Sequence, residues 1–322
     1  MTNRETLPHI YRDSQSIPDI SVVIVNWNLR DLLRRCLESV KLQGDGVAVE
    51  TIVVDNGSSD GSAEMVGRVF PEVILIRNSE NAGFSRASNQ GMQAASGRYL
   101  FLLNNDSLLL DGALKRLVAY MDLYPETGVC GPRVINSDGT LQVYSKGYYP
   151  SVPRIMGQLF LPEKIKHAWG SSLCLYEFED KMEIQEFDWL SGCALMASRQ
   201  AVEEVGLLDA EVFMYCEDVD WCYRMSKSGW RVMYLPQAQV LHYGGQSMRK
   251  QSGAVVGSHA SGLAAYYSRY HGRAAALVFR MVLGAGYTVR AVGWLVGGLL
   301  GRRAGLDKLK RMAGRRDAGS GR

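Results

Sequence analysis

Four stretches of this 322-residue chain end an apolar run in groups that can do chemistry. Residues 100–103 (LFLL) stop at Asn104, Asn105 and Asp106, and residues 51–54 (TIVV) stop at Asp55, Asn56 and Gly57. Residues 213–216 (FMYC) lead into Glu217, Asp218 and Asp220, and a late apolar segment ends at His242 before Gly244. An acid at a strand tip can hold a divalent cation against a diphosphate. Asp55 can accept from a nucleobase N–H or a ribose hydroxyl. Carboxylates partly buried behind an apolar approach acquire the raised pKa that suits a general base. Each feature also has a quieter account: a turn at Asn104–Asp106, an Asx turn at Asp55, a structural histidine at 242. Acids in the first turn of a helix answer its dipole, and Asp220 can pair with Arg224 at i,i+4.

The elements that must position these groups follow from the pattern. Residues 21–25, 51–54, 73–76 and 99–103 read as short buried strands, with helices over about 29–43, after residue 61, and from about 84 to 95. Asn81, Gly83, Phe84 and Asn89 mark the entrance to the last of these. Free N–H groups there can receive anionic oxygens, or the entrance is simple capping. Strands alternating with helices imply an α/β fold with a mostly parallel, twisted, Rossmann-like sheet. Ligands then bind beyond the carboxyl ends of the strands. Residues 144–187 have no clear period and read as a variable insertion over the site. Residues 188–197 read as one strand, followed by helices near 199–205 and 217–228 and strand segments at 232–235 and 240–242.

Charge is unevenly placed. Residues 269–322 hold twelve Lys or Arg and two acids, a balance of +10, so the remainder carries −7 of the net +3. A basic tail on an acidic body suggests a polyanionic partner. Residues 274–301 are largely apolar, but Arg280 and Arg290 interrupt them, and the longest clean run is too short to cross a bilayer. Two arrangements satisfy such an amphipathic helix. It lies in the membrane interface with Tyr287 and Trp294 at headgroup level and Arg302 and Arg303 snorkelling, or it packs on the body. The cationic excess favours the membrane, and the apolar content favours lipid over nucleic acid. Six cysteines without a C-x-x-C pair read as reduced core thiols of a cytosolic protein, and no secretory signal is visible.

With these residues in hand, the chain resembles the family 2 glycosyltransferases, in particular their bacterial rhamnosyltransferase-like branch. The resemblance covers about residues 20–250. It is carried by residues 21–28 (SVVIVNWN), 53–60 (VVDNGSSD), 78–84 (NSENAGF), 102–106 (LLNND), 189–192 (WLSG) and 213–221 (FMYCEDVDW). It implies a GT-A fold, a nucleoside-diphosphate sugar donor of dTDP or UDP type, a divalent cation and inversion at the anomeric carbon. Carried over by position, Asp55 holds the base and Asp106 the metal, with His242 completing the coordination and tilting it from Mg²⁺ toward Mn²⁺. Asn26, Asn56, Gly57, Asn81, Gly83, Phe84, Asn89, Asn104 and Asn105 line the donor side. Asn104 and Asn105 stand where the family's Asp-x-Asp motif has its first acid. Trp189, Gly192 and Cys193 face the acceptor, Trp189 by stacking. Asp218 matches the base position, with Glu217 its rival.

The resemblance implies three regions: a flexible N-terminus at 1–18, a transferase domain at 19–250 (donor half 19–110, acceptor and catalytic half 111–250), and a basic helical tail at 251–322. The expected function is transfer of a sugar, rhamnose first, to a glycan or lipid-linked acceptor in surface polysaccharide synthesis, at the inner face of the cell membrane. A catalytically silent nucleotide- or glycan-binding module is the alternative. A nicotinamide dehydrogenase is disfavoured, because residues 26–31 (NWNLRD) replace the glycine loop of a dinucleotide-binding fold.

Overall fold

The computed structural model describes residues 17–44, 46–162, 165–166, 173–244 and 254–299. Nearly all of the expected loose N-terminus, and the tail beyond 299 with Arg302 and Arg303, lie outside the described residues. The first half alternates β1 (Ile20–Asn26), α1 (Arg30–Lys41), β2 (Val49–Asn56), α2 (Ser62–Val69), β3 (Ile74–Asn78), α3 (Phe84–Ala94) and β4 (Tyr99–Asn104). The chain continues through β5 (Ser107–Leu109), α4 (Ala113–Leu123), β6 (Thr127–Ile135), a 3-10 turn at Val143–Ser145, β7 (Lys146–Gly147) and α5 (Val152–Phe160). It ends with β8 (Gln185–Glu186), β9 (Trp189–Leu190), β10 (Ala194–Ser198), α6 (Arg199–Val205), α7 (Glu217–Lys227), β11 (Arg231–His242) and α8 (Ala254–Leu299).

One nine-stranded sheet runs β3-β2-β1-β4-β10-β6-β11-β5, with β8 paired to β11. β3, β2, β1 and β4 are parallel, and β10 enters antiparallel between β4 and β6. The chain order reverses at β1, whose neighbours are β2 on one side and β4 on the other. The carboxyl ends of those three strands therefore flank the crevice where open α/β sheets bind ligands. Helices cover both faces. On α1, Leu33, Cys36, Leu37 and Val40 form the buried i, i+3, i+4, i+7 stripe against one face. The other face packs on α3, α6, α7 and part of α8. All six cysteines are free thiols and buried.

The structure corrects the sequence reading in three places. The strand expected over 188–197 is two, β9 and β10, because the backbone turns at Ser191, whose N–H leaves to Ser145 O at 2.9 Å. The two late strand segments are a single β11 with an irregularity between Leu235 and Gln239. The insertion at 144–187 includes α5, which packs on α8.

The described part of the tail is the long helix α8, seated on the body by one face. Leu263, Ala264, Tyr266 and Tyr267 are buried in its first half, and Ala276, Phe279 and Leu283 in its second. Arg269 ties it to Asp209 and Asp220. The helical geometry breaks at Gly272, with φ 83° and ψ 167°. No helix among the described residues is long and apolar enough to cross a membrane.

Candidate active site

The carboxyl ends of β1, β2 and β4 deliver a buried polar cluster. Asn105 Nδ2 donates to Asn26 Oδ1 at 2.7 Å, and Asn26 Nδ2 donates to Asp55 Oδ2 at 3.0 Å. Asp55 Oδ1 accepts from Ser58 N–H at 3.0 Å, which is the expected Asx turn. The turn leaves the other reading of Asp55 open, since a carboxylate oxygen bonded once retains acceptor capacity. Asp55 is only 3% exposed.

A second amide network lies beside it. Asn56 Nδ2 donates to Asn81 Oδ1 and Gly83 O, while Asn56 Oδ1 accepts from Asn78 Nδ2 and Ala82 N–H. These bonds sew the tips of β2 and β3 to the start of α3. Gly57 and Gly83 are explained by the same closeness. Both have positive φ, and an added Cβ would meet the Glu80 backbone at 2.8 Å or the Phe213 ring at 2.7 Å. Phe84 N–H is taken by Phe213 O at 2.8 Å, so this N–H of the α3 entrance is closed to an anion. Asn89 stands apart from the cluster: its amide bonds Leu208 O and Leu208 N–H, clamping α3 to the loop after α6.

Asp106 and His242 meet at the edge of the sheet, where β11 ends beside β5. Asp106 Oδ1 lies 3.0 Å from His242 Nε2, and Asn104 Nδ2 lies 3.2 Å from the same nitrogen. Gln142, which no sequence motif marks, fixes the ring. Its amide nitrogen faces Asn136 Oδ1 and His242 O, so its oxygen accepts from His242 Nδ1 at 2.6 Å. With Nδ1 donating to Gln142, Nε2 is the ring nitrogen that faces the Asp106 carboxylate and the Asn104 amide. Two acceptors this close require a positive charge between them, a proton or a metal ion. Burial works against the imidazolium, but Cys193 and Asp106 beside it outweigh burial and push its pKa up to about 10.

The donor set therefore fits a divalent cation. Among the described residues no third His, Cys, Asp or Glu joins it. Two protein ligands suit an ion held jointly with substrate phosphates rather than in an all-protein cage.

The base candidates open α7. Asp218 Oδ2 accepts from Gly192 N–H at 2.9 Å and Oδ1 from Val219 N–H at 2.8 Å. Glu217 is buried beside it, and its Oε2 has no hydrogen-bond partner. Burial raises the pKa of both, and the Asp218 charge raises Glu217 further. Backbone bonds oppose the rise at both residues, and only Glu217 is also raised by its neighbour's charge, so Glu217 is the one held further toward its neutral form. The approach to α7 is strained: Tyr215 and Cys216 are successive non-glycine residues with φ of 72° and 70°. Asp220 bonds Arg224 at 2.8 Å, as its spacing implied, and also Tyr270 at 2.6 Å.

One contact chain joins Asp218 to Asp106. Gly192 bonds Asp218, Cys193 O accepts from Asn104 N–H at 2.9 Å, and Asn104 borders Asp106 and His242. Phe84 approaches the Cβ position of Gly192 at 3.6 Å. Cys193 is buried at this joint. Trp189 departs from expectation. It is 6% exposed, its indole N–H bonds Tyr148 O at 3.1 Å, and Tyr176 meets it edge-on. It supports the wall from behind and offers no open face for stacking.

Comparison with known proteins gives consistent results. The profile described as Glycosyl transferase family 2 matches residues 21–179. An N-acetylglucosaminyl-diphospho-decaprenol L-rhamnosyltransferase of Mycobacterium tuberculosis is 27% identical over 253 residues, 74% of this chain and 81% of that protein. The succinoglycan biosynthesis protein ExoO of Rhizobium meliloti is 27% identical over 205 residues, 58% of this chain and 59% of its own length. Among solved structures, a mannosyltransferase from Pyrobaculum calidifontis in complex with GDP-Man and Mn²⁺ aligns with TM-score 0.55 at 16% identity, covering 95% of this chain and 86% of its own. GalNAc-T7 with UDP, GalNAc and Mn²⁺ aligns with TM-score 0.53 at 19% identity, covering 71% and 44%. These two likenesses establish the GT-A architecture.

Proposed function

Because this chain belongs to glycosyltransferase family 2, in its rhamnosyltransferase-like branch, we propose that it moves a sugar with inversion from a nucleoside diphosphate to a lipid-linked glycan acceptor. Rhamnose on dTDP or UDP is the first candidate donor. The Mycobacterium relative, whose name specifies both rhamnose and a diphospho-decaprenol acceptor, supports that choice. Such an acceptor places the enzyme at the inner face of the cell membrane, in polysaccharide synthesis. Residues 19–250 carry the transferase and 251–322 form its tail.

Asp218 accepts the proton of the acceptor hydroxyl as that oxygen attacks the anomeric carbon from the face opposite the diphosphate. Gly192 N–H orients the accepting carboxylate. Glu217, pushed toward its neutral form by burial and by Asp218, limits the negative charge beside the base. Asp55 and Asn26 bind the nucleoside end. Asp106 and His242 are the side chains that hold a divalent cation, Mn²⁺ or Mg²⁺, which supplies positive charge against the departing diphosphate. The relatives crystallised with Mn²⁺ support divalent cation use.

The observation that carries this reading is the contact chain joining Asp218, through Gly192 and Cys193, to Asn104, Asp106 and His242. Its test is donor hydrolysis or transfer with and without EDTA. Activity should stop on chelation and return with Mn²⁺, and undiminished activity would remove Asp106 as a ligand. Asn104 and Asn105, which leave a single acid in the metal motif, favour a silent binding module as the second reading. An Asp218→Asn protein that binds nucleotide but does not turn over would eliminate it.

A further inference from the structure

The second half of α8 has two apolar sides and only one is accounted for. Beyond Gly272, Ala276, Phe279, Leu283 and Gly286 recur every three or four residues and are buried against the body. Gly286 lies against Leu159 of α5, where a Cβ would come within 2.4 Å. Leu277, Val278, Met281, Val289 and Val292 are each 47–60% exposed. At 3.6 residues per turn these five share an arc of about 120°, roughly opposite the buried edge. A helix seated on a protein normally turns polar residues to water on that side. Met156 and Phe160 of the adjoining α5 are also exposed.

Charge identifies the occupant. The sequence has no Asp or Glu between Asp220 and Asp307. Arg273 and Arg280 are exposed and border the apolar stripe. Cations flanking an apolar stripe match anionic headgroups over acyl chains. A second copy fits less well, since a two-fold interface brings the same unneutralised arginines together. No described helix is long and apolar enough to span a bilayer, so the helix lies in its surface.

We infer that the outer face of α8 beyond Gly272 is a docking surface for an anionic lipid bilayer, with Leu277, Val278, Met281, Val289 and Val292 entering the headgroup boundary and Arg273 and Arg280 meeting lipid phosphates. Why the enzyme docks rests on the lipid-linked acceptor proposed above, but the face itself does not.

The test is sedimentation of the full-length protein with acceptor-free vesicles, of phosphatidylcholine alone or mixed with phosphatidylglycerol. The wild type should pellet with the mixed vesicles and be released by high salt. Leu277→Asp/Met281→Asp should bind at least about tenfold less, because both apolar insertions are lost. Arg273→Glu/Arg280→Glu should bind less and lose its preference for phosphatidylglycerol. Both should keep the wild-type melting temperature and nucleotide-sugar hydrolysis in solution. If the acidic pair lowers the melting temperature, Leu277→Asn/Met281→Asn replaces it. Wild type that stays in the supernatant, or apolar variants that pellet equally well, would overturn the assignment. So would a concentration-dependent dimer that the apolar substitutions dissolve, since that gives the face to a second copy. Absence of nucleotide-sugar turnover in every protein would sink the proposed reaction and leave the vesicle result standing.

Discussion

The proposed donor side and the proposed base side of this site are built on opposite terms. Under β1, β2 and β3, the amides of Asn26, Asn56, Asn78, Asn81 and Asn105 bond one another or nearby backbone. At the start of α7, two non-glycine residues hold left-handed backbone and a buried carboxylate oxygen lacks a partner. Saturated amides hold a shape. Strained backbone and unpaired buried acids each cost about 1–3 kcal/mol, and they concentrate where chemistry is done. Damage on the donor side should therefore register as lost stability, and damage on the base side as lost turnover.

The largest effect should come from Asp218→Asn. Its turnover should fall about 10²–10⁴-fold, with nucleotide affinity by calorimetry close to wild type. Next, Asp106→Ala should lose about 10²–10³-fold in turnover and no longer respond to added Mn²⁺, as read by a metal titration of the rate. Asn56→Ala takes one partner from each of the Asn78 and Asn81 side chains and removes the acceptor of the Ala82 N–H. It should lower unfolding free energy by about 1–3 kcal/mol in a urea melt and leave the ratio of kcat to wild type near one. A large kcat loss in this folded variant would collapse the division.

The smallest effect is a pH dependence. Glu217 has its folded pKa raised above the unfolded value, by burial first and then by Asp218. The folded state then binds more protons than the unfolded one, so this group's contribution weakens as pH rises above the ordinary carboxylate range. Glu217→Gln should flatten that limb and melt higher than wild type at alkaline pH, by roughly 2–4 °C for each kcal/mol relieved. A variant with the same slope as wild type would mean Glu217 is ionised in the fold.

The tips of β1, β2 and β4 were legible because each is a short apolar run that ends sharply in Asn or Asp. The amphipathic period of α1 was equally plain. What escaped the sequence depends on partners distant along the chain. Nothing in residues 194–198 states that β10 will enter antiparallel beside β4, since strand neighbours are a tertiary choice. Gln142 sits a hundred residues from His242 and carries no motif. Trp189 reads like an acceptor platform, yet Gly147 and Tyr148 bring backbone close enough to enclose its ring. The seating of α8 on the body was hidden because an apolar stripe does not say whether protein or lipid covers it.

Gly262 of α8 rests against the Tyr215–Cys216 turn, where its Cβ position lies 3.3 Å from Cys216 Sγ. That contact turns one thiol into a chemical witness. Burial holds all six cysteines away from an alkylating reagent, and Cys216 lies against the first half of the tail helix beside the proposed base. Iodoacetamide labelling that marks this cysteine ahead of the other five would time the helix peeling away, while simultaneous labelling of all six would time collapse of the whole molecule.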